Sequence, residues 1–365
     1  MLFNFNKLIA ITLLLAMPVA TEAQQQVLDV PATARWQHAR SGVTLPARID
    51  GLQRSGIVEN VPGEVDIATH YGNDETRVSI ILFRPQQNDV GYWFDRAEMA
   101  LATNPRLSGL IAGSESPVAF APVATSPAAA LRRSYSSSGQ WVATGTAMVP
   151  TGRWLVKIRA SSASRSIAQI DALIDAALAA ITLPETQTQA GAARVIAPCT
   201  DVVRWRNARA VAPSMEDVLL ASVMSMMVDE KRTAEDNGES RASEGTTAAS
   251  GLADPALCRD TAAASPLTVY RVPGNSDVYW LGINDAGDYA VVSPAIGPQL
   301  MGGNRNQRSV SLLTPTRTLH YSGFNRLPAP RQVAELLERG RPVSAVNFDP
   351  EMQQAGQNTV EIGVP

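Results

Sequence analysis

Three stretches of this chain carry almost no large apolar side chains, and they decide how the rest can be packed. They are 184–193 (PETQTQAGAA), 233–251 (TAEDNGESRASEGTTAASG) and the Gln- and Gly-rich tail after Pro350. A segment that cannot bury apolar surface does not recover the entropy lost on ordering. The breaks predict one domain over 27–184, a linker over 185–197 and a second domain over 198–350. A mobile loop at 233–251 interrupts the second domain, and a flexible tail at 351–365 follows it. The length of 365 residues is in keeping with two domains.

The N-terminus has the pattern of an export signal. Lys7 precedes a short apolar run from Leu8 to Ala20, broken at Pro18, and Thr21 and Ala23 supply small residues at the −3 and −1 positions. A spanning helix needs about 20 apolar residues, so the pattern predicts a signal peptide over 1–23, cleaved between Ala23 and Gln24. No cysteine follows the run, and no later segment is apolar enough to span. The expected product is a soluble protein of the periplasm, with secretion as the alternative and no stable membrane anchor after cleavage. In that setting Cys199 and Cys258 are expected to form a disulfide. Closing such a loop is worth on the order of 4 kcal/mol in the chain-entropy picture; two free thiols are the alternative.

Hydrophobic periodicity supplies the elements. Strands are predicted at 65–71, 77–83, 132–135, 140–148 and 153–160. A helix should open at Asn88-Asp89 and end before Pro105. Another should start at Ser164 or Ser166 and carry Ile167, Ile170, Leu173, Ile174, Ala177, Leu178 and Ile181 on one face. In the second half, Ser214-Met-Glu-Asp217 is a capping-box pattern opening a helix towards Lys231. Hairpins are predicted over 278–292, turning at Asn284-Asp-Ala-Gly287, and over 309–322. A helix over 331–339 should stop at Gly340. Hairpin strands with helices set to one side imply an α+β class. Each of the two small domains is expected to be a mostly antiparallel sheet with helices packed on one side.

The order of elements over 30–184 resembles the PsbP/Mog1-like α+β fold. A finer pattern is Leu45-Pro46-x-x-Ile49-x-Gly51-Leu52-x-Arg54, then a strand ending at Tyr71, then Leu155-Val-Lys157-Ile-Arg159. It is similar to a group of uncharacterised exported bacterial proteins. That resemblance supports the domain boundaries and implies no activity.

Chemistry is sparse. The sequence holds no G-x-S-x-G elbow, S-x-x-K pair, H-E-x-x-H helix or phosphate-binding glycine loop. The three histidines, His38, His70 and His320, lack metal-site spacing, and no cofactor is expected. His320, beside Tyr321 and Ser322, is the weak candidate for a general base; a strand residue facing solvent is the plainer reading. Asp285 and Asp288 read as a polar hairpin tip with too few oxygens for calcium. Met215, Met224, Met226 and Met227 read as helix core, or as a flexible or copper-binding surface. Tyr92-Trp93 and Tyr279-Trp280 should each place one ring in the core. Arg204-Trp-Arg206 is too short for a polyanion footprint, and a net charge of −3 without a basic stripe argues against nucleic acid. The function expected is that of a non-enzymatic envelope protein binding an unknown envelope protein or a small ligand. The alternative is a periplasmic hydrolase with a dispersed site near His320.

Overall fold

The computed structural model describes residues 25–124, 126–184, 191–212, 214–236, 256–263, 265–300, 302–348 and 359–362, with side chains of α3 described up to Val228. The expected signal peptide and its cleavage site, residues 185–190 of the linker and residues 237–251 of the expected loop lie outside these residues. In chain order the first half contains strands β1 (Gln26–Val27), β2 (Trp36–Gln37), β3 (Thr44–Leu45), β4 (Arg48–Ile49), β5 (Leu52–Val61), β6 (Asp66–Gly72) and β7 (Thr76–Phe83). Helix α1 (Val90–Ala102), strands β8 (Ile111–Ala112), β9 (Val118–Phe120), β10 (Ala130–Ser136), β11 (Ala143–Thr151), β12 (Trp154–Ser162) and helix α2 (Ile167–Ala180) follow. The second half contains β13 (Ala197–Pro198), β14 (Ala210–Val211), helix α3 (Met215–Asp236), β15 (Cys258–Arg259), β16 (Thr268–Arg271), β17 (Tyr279–Gly282) and β18 (Tyr289–Pro294). Helix α4 (Ile296–Leu300), β19 (Arg308–Leu313), β20 (Arg317–Phe324), helix α5 (Pro330–Arg339), β21 (Ser344–Asn347) and β22 (Thr359–Ile362) complete it.

Two ten-stranded sheets dominate. The first runs β1-β5-β6-β7-β12-β11-β10-β8, and the second runs β13-β15-β16-β17-β18-β19-β20-β21-β22. Pairing is antiparallel except for β13 on β15. Strands make up 36% of the structure and helices 19%, which overturns the expected α+β class: this is a mainly antiparallel β protein with sparse helices. The expectation failed because short, irregular strands carry no clean alternation. β5 is interrupted by register shifts at Arg54/Gly56 and Glu59/Val61, and each shift inverts the side-chain pattern that follows. β22 pairs with β21 from within the segment expected to be a flexible tail.

Helices do not lie on one side only. In β7, Val78, Ile80 and Leu82 enter the core beneath α2, with Ile170, Leu173, Ile174 and Ala177. The alternate residue Phe83 enters a second core with Leu155, Met148 and the α1 residues Tyr92, Trp93 and Phe94. Both faces of the first sheet are therefore covered, and β11 is buried at every position. Gly145 permits the close seat of α2, because a Cβ there would lie 2.8 Å from Ile174 Cδ1 and 2.9 Å from Ile170 Cγ2.

The second core crosses between the sheets, since Tyr270 and Tyr289 of the second sheet belong to it. α1 is thus packed between two sheets, which explains why Tyr92 and Trp93 are both fully buried. Tyr279-Trp280 keeps the expected division, with Tyr279 buried and Trp280 half-buried. Polar contacts also join the sheets. Asp95 accepts from Tyr270 Oη at 2.7 Å and pairs with Arg259. Arg96 Nε donates to Asn284 O at 3.0 Å. Beside these contacts, Ile196 from the end of the expected linker is also buried in the shared core.

The Leu45–Arg54 pattern has a local cause. Asp50 and Gly51 both take positive φ, 47° and 76°, in the two-residue turn between β4 and β5. The fully buried Arg54 guanidinium donates to Pro31 O at 2.9 Å and Ala34 O at 2.8 Å. Tyr71 Oη donates to Pro46 O at 2.8 Å.

Candidate functional site

Helix α3 and the strands beneath it bring together the one histidine singled out for chemistry and, among the described residues, the largest group of exposed methionines. The capping box holds as expected: Ser214 Oγ accepts from Asp217 N at 3.1 Å, and Ser214 N donates to Asp217 Oδ2 at 3.3 Å. Val218 and Ser222 then face inward and are buried. Ser222 Oγ donates to Val218 O at 2.9 Å and lies 3.3 Å from Ser344 Oγ.

His320 is buried on β20, not turned to solvent. Its Nδ1 lies 2.9 Å from Ser311 Oγ and its Nε2 lies 3.2 Å from Ser225 Oγ. No carboxylate bonds the ring among the described residues. Burial alone pushes its pKa down to about 4, so the ring is neutral at pH 7. The adjoining cavity is about 60 Å³ and is lined by Asp217, Val218, Arg308, His320 and Tyr321 among others. Ligand pockets run from about 300 Å³ upward. His320 joins three elements through hydroxyls.

The other two histidines lie elsewhere. His38 is fully buried, with Nδ1 2.8 Å from Ser41 Oγ and Nε2 2.9 Å from Glu64 O, and burial lowers its pKa to about 4. His70 is exposed on β6 beside Ser79 Oγ at 2.8 Å, while Tyr71 turns to the core. The structure does not bring the three histidines together.

Asp285 and Asp288 lie at a polar hairpin tip, which is tied to the first sheet. Lys157 Nζ of the first sheet lies 2.8 Å from Asp285 Oδ2. Asp288 accepts from Asn284 Nδ2 at 2.8 Å. Burial, reinforced by the Asp66 charge, raises the Asp288 pKa to about 6. Both stand at the hairpin tip and are half-buried, because the tip packs against the first sheet.

The reading of the methionines as helix core fails. Met215 is 59% exposed, Leu219 47% and Met227 57%, and Val223 and Met224 are also exposed. Residues 215, 219, 223 and 227 recur every fourth position and so run along one helix face. Next to them, α4 displays Ile296 and Leu300, the latter 71% exposed. α3 is therefore amphipathic in the reverse sense, with serines packed inward against His320 and Ser344 and methionine, leucine and valine turned outward. Periodicity revealed this apolar stripe but could not say which face met the sheet. The signal available was Ser222 and Ser225, placed so as to face the same strands.

Cys199 and Cys258 are joined by a disulfide at a sequence separation of 59. It links the segment just after β13 to β15, where Cys199 N also donates to Arg259 O at 2.9 Å. α3 lies within the closed loop. Among the described residues, no helix is long and apolar enough to cross a membrane. No family model, curated protein or solved structure gives a significant match to this chain.

Proposed function

We propose that this chain is an exported envelope protein that works by binding, through the outward apolar face of α3 and α4. The reversed amphipathicity of α3 carries the reading. A helix placed only to complete a core would turn Met215, Leu219, Val223 and Met227 inward. Covering these side chains with Ile296 and Leu300 would contribute roughly 5–10 kcal/mol before the losses of ordering and association. Large exposed apolar patches mark interaction sites.

The hydrolase reading draws little support from His320. Both ring nitrogens are engaged by serines, and the cavity beside them, about 60 Å³, is small for a ligand pocket. The Cys199–Cys258 bond supports an oxidising compartment, and the export pattern before Gln24 directs the chain to the periplasm.

Two measurements test this reading. N-terminal sequencing of the envelope-fraction protein should begin at or near Gln24, and a retained Met1 would sink the address. A photo-crosslinking residue at Leu219 should label a component of the envelope, while the same residue at Asp175, on the outer face of α2, should not. Equal labelling from both positions, or from neither, removes the binding face.

A further inference from the structure

We propose that the face formed by α3 and α4 docks on an anionic phospholipid surface, its apolar side chains entering between headgroups while a collar of arginines meets the phosphates. The inference rests on the binding reading above and names the partner.

The elements concerned meet at one end of the second sheet. Pro294, the last residue of β18, pairs with Arg308, and Arg308 and Ala210 both pair with Phe324. α4 leaves β18 there, and α3 starts shortly after β14. The two helices touch so closely that a Cβ on Gly297 would lie 1.9 Å from Asp217 Oδ1. Met215, Leu219, Ile296 and Leu300 are all exposed at this end.

Three exposed arginines surround the same place because their backbones converge on Asn325. Arg209 O accepts from Asn325 N at 3.0 Å, and Arg209 N donates to Asn325 Oδ1 at 2.9 Å. Asn304, the neighbour of Arg305, donates to Asn325 O at 3.0 Å. Arg326 follows Asn325 directly. None of these three arginines has an ion-pair partner among the described residues. Of the carboxylates at this end, one is neutralised by an ion pair and two sit at the N-terminal cap of α3, where the helix dipole favours negative charge. Glu216 and Asp217 bond Ser214 at the helix cap, and Asp277 pairs with Arg308.

Guanidiniums with no ion-pair partner among the described residues, beside exposed apolar side chains, select a partner that is both anionic and greasy. A protein partner would have to present carboxylates in register with three arginines. Lipid phosphates diffuse laterally to meet them, and isolated leucine and methionine side chains insert without a shaped pocket, as surface-bound amphipathic elements do.

Vesicle co-sedimentation of the full exported chain tests the inference, with vesicles of phosphatidylcholine alone or with one-third phosphatidylglycerol. Binding is expected only to the anionic vesicles and should fall as salt rises. Arg209→Ser, Arg305→Ser and Arg326→Ser together should weaken it about a hundredfold, at about fivefold per arginine. Ile296→Ser with Leu300→Ser, both at exposed positions, should weaken it about tenfold. Equal binding to both vesicle types, or binding that neither set of substitutions changes, overturns the inference. Inorganic polyphosphate binding as tightly as vesicles, with the Ile296/Leu300 variant unaffected, identifies an anion site instead and also overturns it. Failure on all vesicles together with specific crosslinking of a protein from Leu219 overturns the lipid partner and leaves the binding reading standing.

Discussion

Replacing His320 with glutamine should flatten the acid sensitivity of this protein. In the folded chain burial holds the imidazole pKa near 4, against an ordinary value of 6.5. The folded state therefore binds the proton less readily than the unfolded chain. Stability from this group is fully present above pH 6.5 and is lost as pH falls through 4. The whole gap corresponds to about 3 kcal/mol, and about 2.5 kcal/mol of it is lost between pH 7 and pH 4.5. His38 behaves in the same sense. Asp288 acts in the opposite sense, because its raised pKa stabilises the fold most at low pH and that contribution is lost as pH rises through about 6. Both groups are present in wild type and variant, so they cancel in the comparison. Glutamine retains a donor and an acceptor for Ser311 and Ser225, which preserves the hydroxyl network while removing the titration. Urea unfolding of both proteins at pH 7 and pH 4.5 is the assay. Wild type should lose about 2.5 kcal/mol more than His320→Gln over that interval. Parallel losses in the two proteins would refute the placement of a buried, neutral His320.

Thiol titration of the denatured protein should find no free thiols, and reducing Cys199–Cys258 should lower stability by about 4 kcal/mol in the same urea assay. Asp95→Ala should cost about 3 kcal/mol, because it strands the Arg259 guanidinium and the Tyr270 hydroxyl in the shared core; Tyr270→Phe should cost about 1 kcal/mol. Gly145→Ala should destabilise by roughly 1–3 kcal/mol through overpacking against Ile170 and Ile174, read as a lowered midpoint of thermal unfolding.

Much of the local structure was legible from residue patterns. Ser166 caps α2 and Asp89 caps α1, as their positions before apolar periodic runs predicted. The hairpins at 279–294 and 308–324 turn where Asn284-Asp-Ala-Gly287 and Thr314-Pro-Thr-Arg317 stand. What escaped was the relation between elements. β5 lost its alternation to two bulges, and the four-residue strands β16, β21 and β22 are too short to show a period. The burial of Tyr92 together with Trp93 depends on a second sheet arriving over α1, which no local pattern encodes. The outward face of α3 was hidden for the same kind of reason, since an apolar stripe reads identically whether it meets a sheet or solvent.

The position of α1 between the sheets sets the timing of folding. Phe83, Trp93, Met148 and Leu155 are synthesised well before Tyr270 and Tyr289, the residues that finish their enclosure. A nascent chain ending before the second sheet presents that aromatic surface to its surroundings, with Cys199 waiting for Cys258. Contacts of such sequence separation form slowly and leave intermediates prone to association. Truncations after residue 184 should therefore aggregate instead of yielding a folded half, and a holdase that shields aromatic surface should raise the yield of the full chain.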